Sequence, residues 1–298
     1  MKSYSSIEEL LADDISLVVV NTPIDTHYQY AKQALEAGKH VLVEKAFTTT
    51  VAEAEELHRI AQANGLTLTV YQNRRWDSDF KTVQSVIEKG LLGDVVEAEI
   101  RFDRYKPTLN TNAWKEEPTP GAGILKDLGP HVIDQALCLF GMPEAVFADI
   151  RVVIPETRID DQFDILLYYA DKRVRLHAGL YNKEQLPAYT IQGRKGSFIK
   201  QRGDVQEDTL ASGIAPRLDH WGAEPTDKEG ILHIVSNEES IRKTIPTLPG
   251  HYYPLFDGVY KAITENAPEP VTAIDGIRIM KVIEAAIKSS ANRAAVTL

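Results

Sequence analysis

Helical and strand patterns alternate at short range along the first seventy residues. The capping-box spacing of Ser6 and Glu9 predicts an opening helix, and the apolar run from Leu17 to Val20 predicts a strand buried on both faces. The same two patterns recur as helices at about 26–37 and 50–64 and as strands at 40–43 and 66–71. This order predicts a parallel sheet covered by helices.

The pattern changes after residue 73. Alternating apolar and polar positions predict strands at 95–102, 145–153, 162–169, 173–180 and 189–192, and helical patterns lie at 79–89, 253–266 and 274–292. The weakly patterned segment 200–229 is interpreted as a long excursion over the surface. The predicted fold class is therefore an α/β layer in residues 1–73, followed by an α+β domain with a large, mostly antiparallel sheet in 74–298.

Composition excludes several classes of protein. The chain has 298 residues, with 43 acidic against 33 basic side chains, so it lacks the positive charge that nucleic-acid binding needs. The longest aliphatic run, at 17–20, is far shorter than a membrane-spanning helix. Cys138 is the only cysteine, which excludes an internal disulfide framework and fits a cytoplasmic location.

Polar residues follow two of the predicted parallel strands. Asn21-Thr22-Pro23 comes directly after one strand, and Glu44-Lys45 comes after the next. Because ligands of open α/β sheets bind beyond the carboxyl ends of the strands, both tails are expected to face one crevice. Lys45 is therefore a candidate site residue, although a solvated loop lysine is an equally good interpretation of the sequence.

A second candidate cluster lies between Gly121 and His131. Pro130 suits the first turn of a helix, which puts His131 in that turn and Asp127 just before it. A helix N-terminus disfavours a charged imidazole, so His131 is expected to stay neutral and able to accept a proton. A packed histidine with Asp127 as a local cap is the alternative. Gly121-Ala122-Gly123 is not a dinucleotide fingerprint, because no strand precedes it.

Three further features have structural interpretations beside functional ones. The Asn73-Arg74-Arg75-Trp76 segment follows a strand end, and on the residues alone we prefer arginines that form surface ion pairs. Trp114 beside Lys115 is suited either to stacking on a planar ligand or to filling an interface. Cys138 lies on an apolar helix and is expected in the core.

Together, these motifs resemble one known family. Asn21-Thr22-Pro23 with His27, Glu44-Lys45, Asn73-Arg74-Arg75 and Asp127-Leu128-Gly129-Pro130-His131 resemble the Gfo/Idh/MocA oxidoreductases, with four motifs in the right order over nearly the whole chain. The segments 71–77, 127–142 and 196–200 are similar to the scyllo-inositol dehydrogenase branch. The resemblance implies a partial Rossmann-type sheet in residues 1–73 and a domain for substrate binding and oligomerisation in 74–298.

The resemblance also implies a reaction and a site. The reaction would be the metal-free interconversion of a ring secondary alcohol of a polyol or sugar and its ketone, with NAD or NADP as coenzyme. Lys45 would polarise the hydroxyl, His131 would take its proton and Asp127 would align the two. The residues implied to bind the coenzyme are Asn21, Thr22, Pro23, His27, Glu44, Lys45, Asn73, Arg74 and Trp114. A homodimer or homotetramer is implied, without nucleic-acid or membrane partners.

The family begins with a glycine-rich strand-turn-helix that these 298 residues do not contain. We therefore expect an incomplete coenzyme site and weak turnover, and an apolar edge at Leu17–Val20 that pairs with another copy or lowers solubility. The alternative function is a catalytically inactive homologue that serves as an oligomeric scaffold or a sugar-binding protein.

Overall fold

The fold is built from two separate sheets with helices packed against them. The structure is a computed structural model and describes residues 2–110, 116–216 and 221–298. Its helices are α1 Ile7–Leu11, α2 Ile24–Glu36, α3 Val51–Ala63, α4 Ser78–Glu88, α5 Ile124–Asp127, α6 Gly129–Phe140, α7 Gln206–Ala211, α8 Tyr253–Glu265 and α9 Ala273–Asn292. Its strands are β1 Leu17–Val20, β2 His40–Glu44, β3 Leu68–Tyr71, β4 Val95–Asp103, β5 Ala145–Arg151, β6 Gln162–Tyr168, β7 Arg173–Gly179, β8 Tyr189–Gly193, β9 Gly196–Lys200, β10 Gly230–Ser236, β11 Glu239–Ile245 and β12 Val296–Thr297.

The predicted parallel sheet is confirmed, with the order β1-β2-β3. Local signals fix its helices as expected. The Ser6 side chain accepts a hydrogen bond from Glu9 N at the start of α1. Thr50 and Glu53 form both bonds of a capping box at the start of α3, which satisfies two backbone donors that the helix itself leaves free.

Strand β1 differs from its prediction. Val18 and Val20 are buried, but Val19 is 56% exposed, so only one face of the strand is covered. Helix α2 packs against β1 on the covered face. The strand pairs only with β2 among the described residues, and its outer edge is open. The prediction of a strand at 17–20 is therefore confirmed, but the prediction that both of its faces are buried was wrong.

The second sheet has nine strands in the order β11-β10-β9-β8-β4-β7-β6-β5-β12. Neighbouring strands are antiparallel except β4 and β7, which are parallel, as expected for a mostly antiparallel sheet. Four strands were not predicted from the sequence: β9, β12 and the pair β10 and β11. β10 and β11 are joined by a tight turn at Asn237 and Glu238, whose φ angles are 51° and 67°. Two successive residues in the left-handed region are typical of a two-residue hairpin loop.

Helix α9 connects the two sheets. It packs against β3 and α3 on one side and against β5 on the other. The contact with the parallel sheet is close, because a side chain added at Gly276 would lie 2.7 Å from Phe47 and 2.9 Å from Val70. On the other side, Ser289 Oγ accepts a hydrogen bond from Ala148 N over 2.9 Å. The division of the chain into domains at residue 73 stays a prediction.

The segment 200–229 is largely irregular, as predicted, but it carries a buried ion pair. The ammonium of Lys200 lies against the Glu224 carboxylate, and neither side chain is exposed. Lys200 also donates to the carbonyl oxygens of Gln201 and Lys228. Burial raises the pKa of Glu224 more than the neighbouring Lys200 charge lowers it. This pair joins the irregular segment to the second sheet.

No helix within residues 2–110, 116–216 and 221–298 combines the length and the apolar content that crossing a membrane requires.

Candidate active site

A cleft of about 880 Å³ opens where the parallel strands end. One wall is formed by residues 21–26 and 44–45, which follow β1 and β2. The opposite wall comes from parts of 104–110, 116–128 and 154–161. The carboxyl ends of the strands therefore face one crevice, as the topology of open α/β sheets predicts.

Lys45 and Asp127 meet across this cleft. Lys45 follows the last residue of β2, and Asp127 is the last residue of α5. The Lys45 ammonium donates hydrogen bonds to Asp127 Oδ1 over 2.7 Å and to the Asp127 carbonyl oxygen over 2.8 Å. The Asp127 side chain is 58% exposed, so the pair is accessible from the cleft.

A glycine sets the position of α5. Gly123 has a φ of +94°, and a side chain there would lie 1.9 Å from Asp160 Oδ1. The Asp160 carboxylate accepts a hydrogen bond from Leu125 N over 2.7 Å, so it occupies the space beside the glycine. The Gly121-Ala122-Gly123 segment therefore serves close packing at the start of α5.

His131 lies in the first turn of α6 after Pro130, as predicted, but it is 4% exposed and does not line the cleft. Its Nδ1 is buried and has no hydrogen-bond partner among the residues that the structure describes. Burial lowers its pKa well below the usual histidine value, and the positive charges of Lys45, Arg74, Arg202 and Arg104 lower it further. A neutral imidazole was expected, but burial and nearby cations are its main causes.

Three arginines surround the ring beside His131. The guanidinium carbons of Arg202, Arg74 and Arg104 lie 4.1, 4.8 and 5.0 Å from the centre of the Phe102 ring. The His131 ring centre lies 6.4 Å from the same ring. Phe102 is the next-to-last residue of β4, and of the three arginines only Arg104 lines the cleft.

His27 connects the two strand tails from behind. Its side chain is buried, with Nε2 2.8 Å from the carbonyl oxygen of Thr22 and Nδ1 2.8 Å from that of Ala46. Both ring nitrogens are therefore occupied by backbone groups. His27 fixes the distance between the β1 tail and the β2 tail and does not line the cleft.

Asn73 and Arg74 are also buried. Arg74 binds Asp77 over 3.0 Å and also the carboxylate of Glu207 in α7, and Asn73 donates to the same Glu207. The preferred interpretation of surface ion pairs was wrong. The ion pair of Arg75 is not a surface pair either, because Arg75 donates through two nitrogens to the buried carboxylate of Asp134.

The predicted site residues thus separate into three groups. Those that line the cleft are Asn21, Thr22, Pro23, Glu44, Lys45 and Asp127. Those buried behind its walls are His27, Asn73, Arg74 and His131. Trp114 lies outside the described residues.

Sequence reasoning missed Arg104 and Lys106, which line the cleft directly after β4. The available signal was the continued alternation of polar residues beyond the predicted end of that strand. The prediction for Cys138 was wrong, because its side chain is exposed on the outer side of α6. Cys138 lines a small cavity together with Arg75 and Asp134. The ion pair of these two residues, and not the cysteine, is the buried group on this side of α6.

Comparison with protein families agrees with this geometry. Residues 1–72 match the family described as "Oxidoreductase family, NAD-binding Rossmann fold", and residues 84–298 match "Oxidoreductase family, C-terminal alpha/beta domain". The fold and the cleft are those of an oxidoreductase enzyme with a nicotinamide-coenzyme-binding sheet. The chain belongs to the Gfo/Idh/MocA family, which confirms the resemblance drawn from its motifs.

Individual relatives cover nearly all of the chain. The uncharacterized oxidoreductase YdgJ of Escherichia coli is 39% identical over 96% of this chain and 82% of its own length. The scyllo-inositol 2-dehydrogenase (NADP(+)) IolW of Bacillus subtilis is 38% identical over 98% of this chain and 82% of its own. The solved structure of yvaA from Bacillus subtilis superimposes with a TM-score of 0.94 at 37% identity, over 99% of this chain and 85% of that one.

Proposed function

We propose that this enzyme interconverts a ring secondary alcohol of a polyol or sugar and the corresponding ketone, with NAD or NADP as coenzyme. The observation that carries the proposal is the Lys45–Asp127 pair, which joins the end of a parallel strand to the opposite wall of the cleft. An ammonium held in this way can donate a hydrogen bond to a hydroxyl oxygen. The relative IolW, which is named for oxidation of an inositol, supports the substrate class.

The residues of the cleft fit a nicotinamide and its ribose. Asn21 and Thr22 supply polar groups, while Pro23, Ile24 and Leu128 supply apolar surface for a flat ring. The volume of about 880 Å³ lies within the range of small-molecule sites. The bound coenzyme would supply the hydride acceptor for alcohol oxidation.

The chain's own residues would prepare the alcohol for this reaction. Lys45 would donate a hydrogen bond to the reacting oxygen and favour loss of the hydroxyl proton. Asp127 would hold the ammonium in place through the two contacts that it makes with Lys45. The alcohol carbon would lose its hydride as the carbonyl bond forms.

His131 would accept the hydroxyl proton, which requires the substrate hydroxyl to reach the imidazole behind the cleft wall. The low pKa of His131 keeps the imidazole neutral near pH 7, so a lone pair is available for the proton. The four cations that lower this pKa would also favour release of the proton to solvent after each turnover. His27 would keep the two strand tails at a fixed spacing and would not take part in proton transfer.

Coenzyme binding tests the proposal directly. NADPH and NADH are titrated into the full chain and followed by nicotinamide fluorescence, with NADPH first because IolW is named for NADP(+). We expect saturable binding that weakens in Lys45→Ala and is unchanged in Lys281→Ala, whose lysine lies on α9. Equal binding in both variants would contradict a coenzyme site at Lys45. No binding up to millimolar coenzyme would favour the inactive-homologue alternative.

Turnover is the second test. Reduction of NADP⁺ and NAD⁺ is followed at 340 nm with scyllo-inositol and myo-inositol as substrates. We expect coenzyme reduction with at least one polyol. In a separate cell fractionation we expect the chain in the cytosolic fraction, as its single cysteine suggests. Coenzyme binding without turnover of either polyol would show that the substrate is not one of these neutral inositols.

The proposal includes a homo-oligomer built on the open face of the nine-stranded sheet. Phe147 of β5 and Leu166 of β6 are direct neighbours on that face, and Phe147 is 38% exposed. Apolar side chains on an uncovered sheet face favour contact with a second copy. Light scattering after size exclusion is expected to give a dimer or tetramer, and Phe147→Lys is expected to shift it toward the monomer.

A further inference from the structure

Two cations on the cleft wall follow β4 along an extended segment. Arg104 N donates to the carbonyl oxygen of Gly179 over 3.0 Å, and Lys106 N donates to that of Leu180 over 2.8 Å. The first bond lies at the last residue of β7, and beyond it Tyr105 and Tyr181 form an isolated antiparallel bridge. The backbone that carries the two cations is therefore held in place by the second sheet.

Both cations point to the same side of this segment. Side chains alternate along an extended chain, so residues two apart share a side, and Arg104 and Lys106 both line the cleft. Tyr105 lies between them and faces away, with the Lys183 ammonium 4.6 Å from the centre of its ring. Lys183 is thus a nearby cation that does not line the cleft.

Among the described residues, neither cleft cation has a protein acceptor for its side chain. The Arg104 guanidinium lies over Phe102, and within residues 2–110, 116–216 and 221–298 neither Arg104 nor Lys106 donates a side-chain hydrogen bond or forms an ion pair. Some other charged groups of the same cleft are already paired, as the ion pair between Lys45 and Asp127 illustrates. An arginine or lysine without a carboxylate is suited to bind an anion from solution.

Several carboxylates of the cleft are held by protein donors. Glu116 accepts from Asn110 N over 2.7 Å and from Thr157 Oγ1 over 2.6 Å. Asp161 accepts from the backbone N–H groups of Val153 and Ile154. Since these acids are already engaged, they compete little with an incoming anion for the two cations.

We infer that Arg104 and Lys106 form an oxyanion-binding subsite, so that the substrate is a polyol or sugar that carries a carboxylate or phosphate group. The inference rests on the proposed function, because it assigns the substrate class of the same cleft. The planar guanidinium of Arg104 can bind two oxygens of such a group side by side, and Lys106 adds a point charge. The reacting hydroxyl would then lie toward Lys45, on the opposite wall.

Matched sugars test the subsite without any need for turnover. D-glucose, D-glucuronate and D-glucose 6-phosphate share a ring and differ at one carbon, and each is titrated into the full chain by calorimetry at low ionic strength. We expect at least one anionic sugar to bind at least tenfold more tightly than glucose. The preferred anion distinguishes a carboxylate from a phosphate. Equal affinities, or no binding of either anion, would overturn the inference.

Three variants locate the preference. Arg104→Gln and Lys106→Gln are each expected to lower the affinity for the anionic sugar about tenfold with little change for glucose, while Lys183→Gln leaves both affinities unchanged. Circular dichroism and melting temperature check that each variant folds, and Arg104→Lys, which keeps the charge and loses the fork, is the second variant at that position. Loss of the preference in Lys183→Gln alone, or its survival in both cleft variants, would overturn the subsite.

The outcome is distinguishable from failure of the proposed function. If the chain oxidises neutral inositols and shows no anion preference, the dehydrogenase stands and the subsite fails. If anionic sugars bind with the expected dependence on Arg104 but no coenzyme is reduced, the subsite stands and the proposed reaction fails. Raising the salt concentration is expected to weaken the preference, since it screens the cations.

Discussion

Two lysine–carboxylate pairs in this molecule share the same chemistry and differ in their surroundings. Lys45 and Asp127 meet in an open cleft, where the aspartate is 58% exposed. Lys200 and Glu224 belong to the irregular segment 200–229, and neither side chain is exposed. Solvent access leaves the first pair free to exchange its contact for a ligand, whereas the second pair is closed to solvent. Residue type alone therefore does not separate a functional pair from a structural one.

The largest effect is expected from Lys200→Met. The change leaves the Glu224 carboxylate buried without its cation, and loss of one partner of a buried pair costs about 3–5 kcal/mol of stability. Urea denaturation followed by fluorescence measures the loss. The double variant Lys200→Met with Glu224→Leu is expected to recover a large part of it, because the unpaired charge is gone. A single-variant loss below about 1 kcal/mol would remove the contrast between the two pairs.

Lys45→Met is expected to have the opposite profile. Without the ammonium, polyol oxidation should slow by about a hundredfold or more, in keeping with the usual contribution of acid–base groups. The free energy of unfolding should change by less than about 1 kcal/mol, because the pair is open to solvent. Steady-state rates and urea denaturation on the same preparation measure both. A strongly destabilised variant would mean that the pair is structural.

His131 shares features of both pairs: it is buried like Lys200 and Glu224, and it is a proposed catalytic group like Lys45. Its folded pKa lies below its unfolded value near 6.5, so the stability from its neutral form is present above that pH and is lost as the pH falls. Compared with His131→Gln, the native chain should lose up to about 2 kcal/mol between pH 7 and pH 5. Denaturation of both proteins at the two pH values gives the difference. A difference independent of pH would place the imidazole in contact with solvent.

The smallest effect is expected from an exposed pair. Lys281 of α9 lies 3.1 Å from Glu55 of α3, and both side chains are 47% exposed. Lys281→Met should change the free energy of unfolding by less than about 1 kcal/mol and leave turnover unchanged. The same denaturation and rate measurements apply. A loss as large as that of Lys200→Met would show that burial does not rank these pairs.

Much of the fold could be predicted because its signals are local. Thr50 and Glu53 are three residues apart, so their capping box is visible in the sequence. Gly38 and Gly90 mark the left-handed positions where α2 and α4 end. The strands β10 and β11 were missed because their alternation is weak and nearly every residue of β11 is exposed.

The site was predictable only in part, for a different reason. The position of Lys45 after a parallel strand follows from a general rule of sheet topology, and the motifs supplied Asp127 and His131. Arg104 needed the pairing of β4 with β7, which joins residues more than seventy positions apart. The burial of Lys200 likewise depends on Glu224, and composition rules predict lysines at the surface.

The position of α9 has a consequence for synthesis of the chain on the ribosome. This helix is formed by residues 273–292, yet it packs against β3 and α3, which lie within residues 51–71. The parallel sheet therefore lacks one of its packing partners until translation has passed residue 292. During that time Phe47 and Val70, which contact α9 at Gly276, are uncovered. Chaperone binding to nascent chains is thus expected to persist until the last helix emerges.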